Sequence, residues 1–148
     1  MEIREILKCL REKRGLTQEQ LAEKVMVTRQ AVSRWENGET QPSTDTLKLL
    51  SRLFDVSVNT LLGSPRQLIC QCCGMPLSED AFISRETDGA FNEDYCKWCY
   101  ADGKFLYQSK EELADFLMKS MPNPDGLPDN KRREIYLEGL SRLTRWKA

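Results

Sequence analysis

Apolar side chains recur at every third or fourth position through the first part of the chain, which is the spacing of amphipathic helices. The first such series predicts a helix over residues 2–14, and Gly15 follows it in a position where glycine commonly ends a helix. The apolar positions of this predicted helix are Ile3, Ile6, Leu7 and Leu10.

Residues 17–38 predict two short helices joined by a tight turn. Thr17 can cap the first of them, with Gln20 three residues later completing a capping box. Thr28 can cap the second helix through its hydroxyl group, and Gly38 supplies a typical helix end. The apolar positions of the two helices are Leu21, Ala22 and Val25, followed by Ala31, Val32 and Trp35.

Two further helices are predicted before residue 63, with Ser43 and Ser57 at their capping positions. Five short helices in about 60 residues can share one small core. A short polar stretch that contains proline follows them and is typical of a linker. The predicted organisation is a helical domain over residues 1–63, a linker over residues 64–68 and a second domain over residues 69–148.

The second helix of residues 17–38 has a polar face that packing does not explain. Arg29, Gln30, Ser33 and Arg34 lie opposite its apolar positions. Arginine and glutamine are the side chains suited to reading guanine and adenine in the major groove. A short helix that presents several of them in its first two turns indicates binding to double-stranded DNA.

The segment LTQEQLAEKV…TRQAVSRWENGETQPSTDTLKLL resembles the helix-turn-helix domain of phage Cro and repressor proteins, the xenobiotic-response-element type of bacterial regulator. The resemblance covers residues 3–63 and implies a five-helix, lambda-repressor-like domain whose third helix enters the major groove. By position, its third-helix residues would face bases, and Gln18 and Asn37 would hold phosphates. The implied DNA-binding residues are Gln18, Thr28, Arg29, Gln30, Ser33, Arg34 and Asn37. Met26 departs from the family, because many members have glycine at this left-handed position.

Charge changes the picture of how such a domain would bind. The chain has 148 residues and a net charge of −1, and residues 1–64 hold ten Lys/Arg against nine Asp/Glu. Bulk electrostatic attraction to DNA is therefore weak, so we expect a local cationic face and two copies acting together as a homodimer. The chain lacks an apolar run long enough for a membrane helix, and its charged start is unlike a signal peptide. We expect a cytoplasmic protein.

The second domain carries a different chemistry. Cys70, Cys73, Cys96 and Cys99 form two C-x2-C pairs separated by 22 residues. Two residues between a pair of thiols let one turn direct both sulfurs at one ion, so this spacing predicts a four-thiolate Zn2+ site. Cys72 is surplus to this set, because C-x-C spacing chelates less well.

Other readings of the cysteines are weaker. Disulfides rarely persist in a reducing cytoplasm, and a redox C-x-x-C usually occurs singly. Iron in a rubredoxin-like site remains possible, since ligand softness alone does not separate it from zinc. Four thiolates leave no open coordination position, and the chain has no histidine, so we expect a structural metal and no enzymatic activity.

The phrases CQCCGMPL and NEDYCKWCYADGKF resemble the zinc-ribbon domain that recurs in bacterial proteins, sometimes fused to this kind of helix-turn-helix. The resemblance covers residues 69–147 and implies a fold and a metal but no defined activity. A hairpin is expected at Asp88-Gly89. Two C-terminal helices are expected to begin near Ser109 and Asp129 and to pack on the ribbon or form a partner surface.

The apolar positions of these two helices are Leu113, Phe116 and Leu117, followed by Ile135, Leu137, Leu140, Leu143 and Trp146. The basic cluster Lys131, Arg132 and Arg133 is expected to be a solvated helix start.

Together the patterns predict a mainly α protein that regulates transcription by binding DNA, with a zinc ribbon as its second domain. The alternative is a metal- or thiol-responsive regulator, in which zinc loss or oxidation of Cys72 changes DNA binding. The second domain could also bind a protein or a small-molecule effector.

Overall fold

The computed structural model describes residues 1–147 and divides the chain into two compact units. The first unit spans Met1–Gln67 and the second begins at Leu68. No helix in the described part of the chain is both long enough and apolar enough to cross a membrane.

The first unit consists of five helices, as the periodicity predicted. Their bounds are α1 (Ile3–Lys13), α2 (Gln18–Lys24), α3 (Arg29–Asn37), α4 (Thr44–Phe54) and α5 (Val58–Leu61). The four predicted caps are confirmed, because each of these hydroxyl groups accepts a hydrogen bond from the backbone N–H three residues later: Thr17, Thr28, Ser43 and Ser57. A fifth cap, a Glu2–Glu5 capping box before α1, was not predicted.

The core of this unit receives one fully buried side chain from every helix, and each of the five is at most 1% exposed: Leu7, Leu21, Val32, Leu50 and Leu61. None of the five helices is longer than 11 residues. Each helix therefore depends for its stability on this shared packing rather than on its own hydrogen bonds.

The turn between α2 and α3 has the left-handed backbone that the family pattern implied. Met26 has φ of 57° and leaves 79% of its side chain exposed. The N–H of Val27 then donates to the carbonyl of Ala22 at 2.9 Å, which closes the end of α2. The strained residue therefore makes no core contact that would require methionine.

The second unit contains two small hairpins. In the first, β1 (Ile83–Arg85) pairs antiparallel with β2 (Phe91–Cys96), and the predicted turn is present with Gly89 at φ of 87°. The register shifts between Ile83 and Ser84, so the end of β2 bulges before it reaches Cys96.

The second hairpin, β3 (Tyr100–Ala101) with β4 (Lys104–Phe105), was not predicted. Asp102 and Gly103 form its two-residue turn, with φ of 52° and 77°. Asp-Gly is a strong local signal for such a turn, so the sequence does contain the information.

Two helices cover the hairpins, α6 (Lys110–Ser120) and α7 (Asp129–Ser141). Leu113, Ala114 and Leu140 join the buried cysteines in one core. The predicted apolar faces are only partly confirmed, because Phe116 is 48% and Ile135 is 51% exposed. Leu143 and Trp146 lie beyond the end of α7, and Trp146 belongs to a short 3-10 turn (Thr144–Trp146).

The predicted solvated cluster at the start of α7 is wrong for two of its three members. Arg132 is only 9% exposed and donates to the carbonyl of Met121 at 3.0 Å. Arg133 forms an ion pair with Asp115 of α6. Of the three, only Lys131 is exposed as expected. These two arginines fasten α7 to the middle of α6 and to the residue that follows it.

Candidate nucleic-acid interface and candidate metal centre

Helix α3 separates its side chains into two faces. Val32 and Trp35 are 0% and 5% exposed and belong to the core of the first unit. Arg29, Gln30 and Arg34 are exposed, and within residues 1–147 their side chains have no hydrogen-bond or ion-pair partner. The tips of these three side chains therefore remain available to an external ligand.

The other predicted residues of α3 lie at its ends or at its edge. Thr28 caps the helix, its hydroxyl oxygen accepting from the N–H of Ala31 at 3.2 Å, and it retains its own O–H as a donor. Ser33 is half-buried. Asn37 is the last residue of α3 and is exposed. These positions surround the polar face rather than extending it.

Gln18, the first residue of α2, directs its side chain towards Glu36 of α3 rather than only into solvent. Its amide nitrogen donates to Glu36 Oε2 at 2.7 Å. The Nε of Arg11, on α1, donates to Glu36 Oε1 at 2.6 Å and its other nitrogen atoms reach Leu16 and Glu36. The side chain of Glu36 is 5% exposed and that of Arg11 is 12% exposed.

This network connects three helices at one carboxylate. The hydrogen bond that Arg11 donates to Glu36 raises the pKa of the Arg11 guanidinium, which therefore stays charged at every ordinary pH. Gln18 uses one of its two amide hydrogens on Glu36 and keeps the other, and Asn37, the residue after Glu36, is exposed. Sequence reasoning missed Arg11 and Glu36, although Glu36 follows Val32 by four residues and so shares its inward side.

The four cysteines of the predicted metal site are brought together in the second unit. All four Sγ atoms lie within 4.8 Å of one another, and the distance from Cys73 Sγ to Cys96 Sγ is 3.8 Å. This separation excludes a disulfide bond, which would bring the sulfurs to about 2.05 Å. Cys70, Cys96 and Cys99 are buried, and Cys73 is half-buried.

The backbone of the first cysteine turn is aimed at a sulfur. The N–H groups of Cys72 and Cys73 both donate to Cys70 Sγ at 3.4 Å, as expected for a turn that stabilises a thiolate. Gly74 has φ of 83°, and its N–H donates to the carbonyl of Cys70 at 2.8 Å. The pKa of the Cys70 thiol is lowered, chiefly by its hydrogen bond with the Cys73 side chain.

The arrangement of the sulfurs fits a tetrahedral metal ion. An ion bonded to four sulfurs at about 2.3 Å places neighbouring sulfurs roughly 3.8 Å apart. The distance between Cys73 Sγ and Cys96 Sγ has this value. Cys72 does not join the set. Its side chain is fully buried and lies outside the group of four.

The two units together define a helix-turn-helix protein with a four-cysteine ribbon. The chain belongs to the Putative zinc ribbon domain family, whose model matches residues 69–147. The Helix-turn-helix family model matches residues 7–61.

Two curated regulators are similar to the first unit. The HTH-type transcriptional activator BcrR of Enterococcus faecalis is 47% identical over 63 residues, which cover 43% of this chain and 31% of that protein. The HTH-type transcriptional regulator ImmR of Bacillus subtilis is 44% identical over 57 residues, which cover 38% of this chain and 45% of that protein. The chain thus matches less than half the length of each of these relatives.

Two solved structures are also similar over the same region. The P22 c2 repressor in complex with a synthetic operator is 31% identical, covers 43% of this chain and 97% of its own, and has a TM-score of 0.42. The biofilm regulator SinR in complex with DNA is 39% identical, covers 40% of this chain and 97% of its own, and has a TM-score of 0.38.

Replacing Glu36 with alanine is expected to destabilise the first unit by about 2–4 kcal/mol, because it leaves the Arg11 charge nearly buried without its main partner. The matched control is Glu39→Ala, an exposed glutamate just beyond α3, with an expected effect within about 0.5 kcal/mol. Native-state hydrogen exchange of the Val32 amide measures the opening free energy of this unit alone. Equal effects of the two substitutions would contradict the network.

Cys70→Ser is expected to abolish metal binding by the second unit, because a tetrahedral site with three thiolates and a hydroxyl loses most of its affinity. Cys72→Ser is the matched control, since it changes a buried cysteine two residues away that lies outside the cluster. The measurement is bound metal per chain after gel filtration, by elemental mass spectrometry. Loss of metal in Cys72→Ser, with retention in Cys70→Ser, would contradict the assigned ligand set.

Proposed function

We propose that this protein is a sequence-specific, DNA-binding transcriptional regulator that acts as a homodimer in the cytoplasm. The first unit would bind double-stranded DNA, and the second would hold a structural Zn2+ ion. The observation that carries the proposal is the polar face of α3, whose tips are exposed and unpartnered within residues 1–147.

The mechanism follows from the two faces of α3. Its core face is fixed by Val32 and Trp35, and the helix therefore presents the opposite face in one orientation. Arg29, Gln30 and Arg34 then supply the donors and acceptors that base edges require. The predicted phosphate contacts at Gln18 and Asn37 would set the register of the helix on the duplex.

Pairing of two copies is part of the proposal because one helix of nine residues reads few base pairs. Two copies on a two-fold related site double the number of contacts and supply the specificity that a single copy lacks. The nearly balanced charge of residues 1–64 supports this reading, since it provides little non-specific attraction that could substitute for pairing.

The metal is proposed to be structural. When bound, it supplies four bonds that hold the two C-x2-C turns against each other. Four thiolates complete a tetrahedron and leave no position for water or substrate. The competing thiol-sensor reading through Cys72 is disfavoured by burial, because this side chain is fully shielded from solvent and from soluble oxidants.

Arg34→Ala and Gln30→Ala are each expected to weaken binding to a selected operator by about 1–3 kcal/mol and to relax base preference at one position. Gln18→Ala is expected to weaken binding to all DNA sequences by a similar factor, because a phosphate contact carries no sequence information. Lys48→Ala, which removes an exposed cation on α4, is the matched control and should keep the base preference. Site selection from random DNA, followed by gel-shift titration, measures both quantities.

Unchanged operator affinity and base preference in both Arg34→Ala and Gln30→Ala would overturn the assignment of α3 as the recognition helix.

Removing the metal from the intact protein with a chelator is expected to unfold the second unit while leaving the intrinsic affinity of the first unit for DNA within about threefold, provided the protein remains dimeric. Circular dichroism and fluorescence anisotropy with labelled operator, at protein concentrations that keep the dimer intact by light scattering, measure the two effects. A large change in affinity at constant oligomeric state would favour the sensor alternative over a structural metal.

A further inference from the structure

The short segment of residues 143–146, here called the strap, lies against the first cysteine turn. The backbone N–H of Arg145 donates to the carbonyl of Gln71 at 3.0 Å. The indole Nε1 of Trp146 donates to the carbonyl of Cys72 at 2.8 Å. Residues more than 70 positions apart in sequence thus share two hydrogen bonds, and both acceptors lie between Cys70 and Cys73.

Further contacts hold the strap in place. The N–H and the hydroxyl of Thr144 both donate to Gln71 Oε1, at 3.2 and 2.9 Å. The guanidinium of Arg145 lies 3.9 Å from the centre of the Phe105 ring and 4.6 Å from the centre of the Trp146 ring. The strap is therefore fixed to the turn by side-chain and backbone bonds and to the second hairpin by a cation–π contact.

The two carbonyls held by the strap belong to particular peptide groups. The carbonyl of Gln71 and the N–H of Cys72 are two ends of one peptide group, and the carbonyl of Cys72 and the N–H of Cys73 are two ends of the next. Both of these N–H groups donate to Cys70 Sγ. Because peptide groups are planar, a bond that fixes the carbonyl end also fixes the direction of the N–H end.

We propose that the strap is an outer shell of the metal site, in which Trp146 and Arg145 orient and polarise the two peptide groups that stabilise the Cys70 thiolate. A peptide group that accepts a hydrogen bond at its oxygen is a stronger donor at its nitrogen. The inference rests on the proposed metal-binding function of the four cysteines. It makes Trp146 a positioning residue for a ligand that it does not touch.

The test measures metal release from the full-length, Zn2+-loaded protein into excess chromophoric chelator. Trp146→Phe keeps an aromatic ring but removes the donor, and it should speed release about tenfold, as is usual when an outer-shell partner of a metal ligand is lost. Trp98→Phe is the matched control. This residue also lies within a cysteine turn, between Cys96 and Cys99, but it is 49% exposed and should leave the release rate unchanged.

Two further measurements separate positioning from general destabilisation. In the Co2+-loaded protein, Trp146→Phe should move the sulfur-to-metal charge-transfer band to longer wavelength. Cys70 Sγ becomes richer in electrons when the hydrogen bonds that it accepts from the N–H groups of Cys72 and Cys73 weaken. Thr144→Val should also speed release, whereas Thr144→Ser, which keeps the hydroxyl group, should restore the original rate.

The outcomes distinguish this inference from the one on which it rests. If the unaltered protein binds neither Zn2+ nor Co2+, the metal site itself is wrong. If it binds metal but Trp146→Phe and Thr144→Val release it at the original rate, or Trp98→Phe releases it as fast as Trp146→Phe, the strap has no such role. If Trp146→Phe does not fold, the Thr144→Val and Thr144→Ser pair decides alone.

Discussion

The carboxylate of Glu36 lies where the first three helices of the chain meet, and the orientation of α3 depends on it. Arg11 from α1 and Gln18 from α2 both donate to this one group, which is almost fully shielded from water. A buried charge of this kind tolerates few arrangements of its partners. The hydrocarbon core holds the helices together, and the carboxylate of Glu36 ties α1 and α2 to α3 by hydrogen bonds from Arg11 and Gln18.

The second unit obtains its order from a different source. Its strands are two to six residues long, and such short hairpins have little stability of their own. The four sulfurs of the two cysteine turns converge at one point. The helices α6 and α7 then cover that point, and Arg132 and Arg133 fasten α7 to its neighbour. Each device acts between segments that are distant in sequence.

The difference between local patterns and contacts that join residues distant in sequence explains what could be predicted from the sequence. The caps at Thr17 and Thr28 and the C-x2-C spacing are local patterns, and each led to the correct element or cluster. The Asp102-Gly103 turn is also a local signal, but the strands on either side of it have only two residues each and are too short to be predicted. The burial of Arg132, the contact of Gln18 with Glu36 and the bond from Trp146 to Cys72 join residues up to 74 positions apart. Sequence periodicity can indicate that a side chain such as Glu36 faces inward, but it does not identify the distant partner of that side chain.

Four of the ten buried residues in the core of the second unit are cysteines: Cys70, Cys72, Cys96 and Cys99. Three of them are also candidate ligands, so an ion missing from the cluster leaves a defect in the interior and not only an empty surface site. A cell short of the metal would then hold more unfolded chain, which proteases remove. If the cluster binds metal as proposed, the abundance of the protein would follow the metal supply even where the ion has no effect on DNA binding.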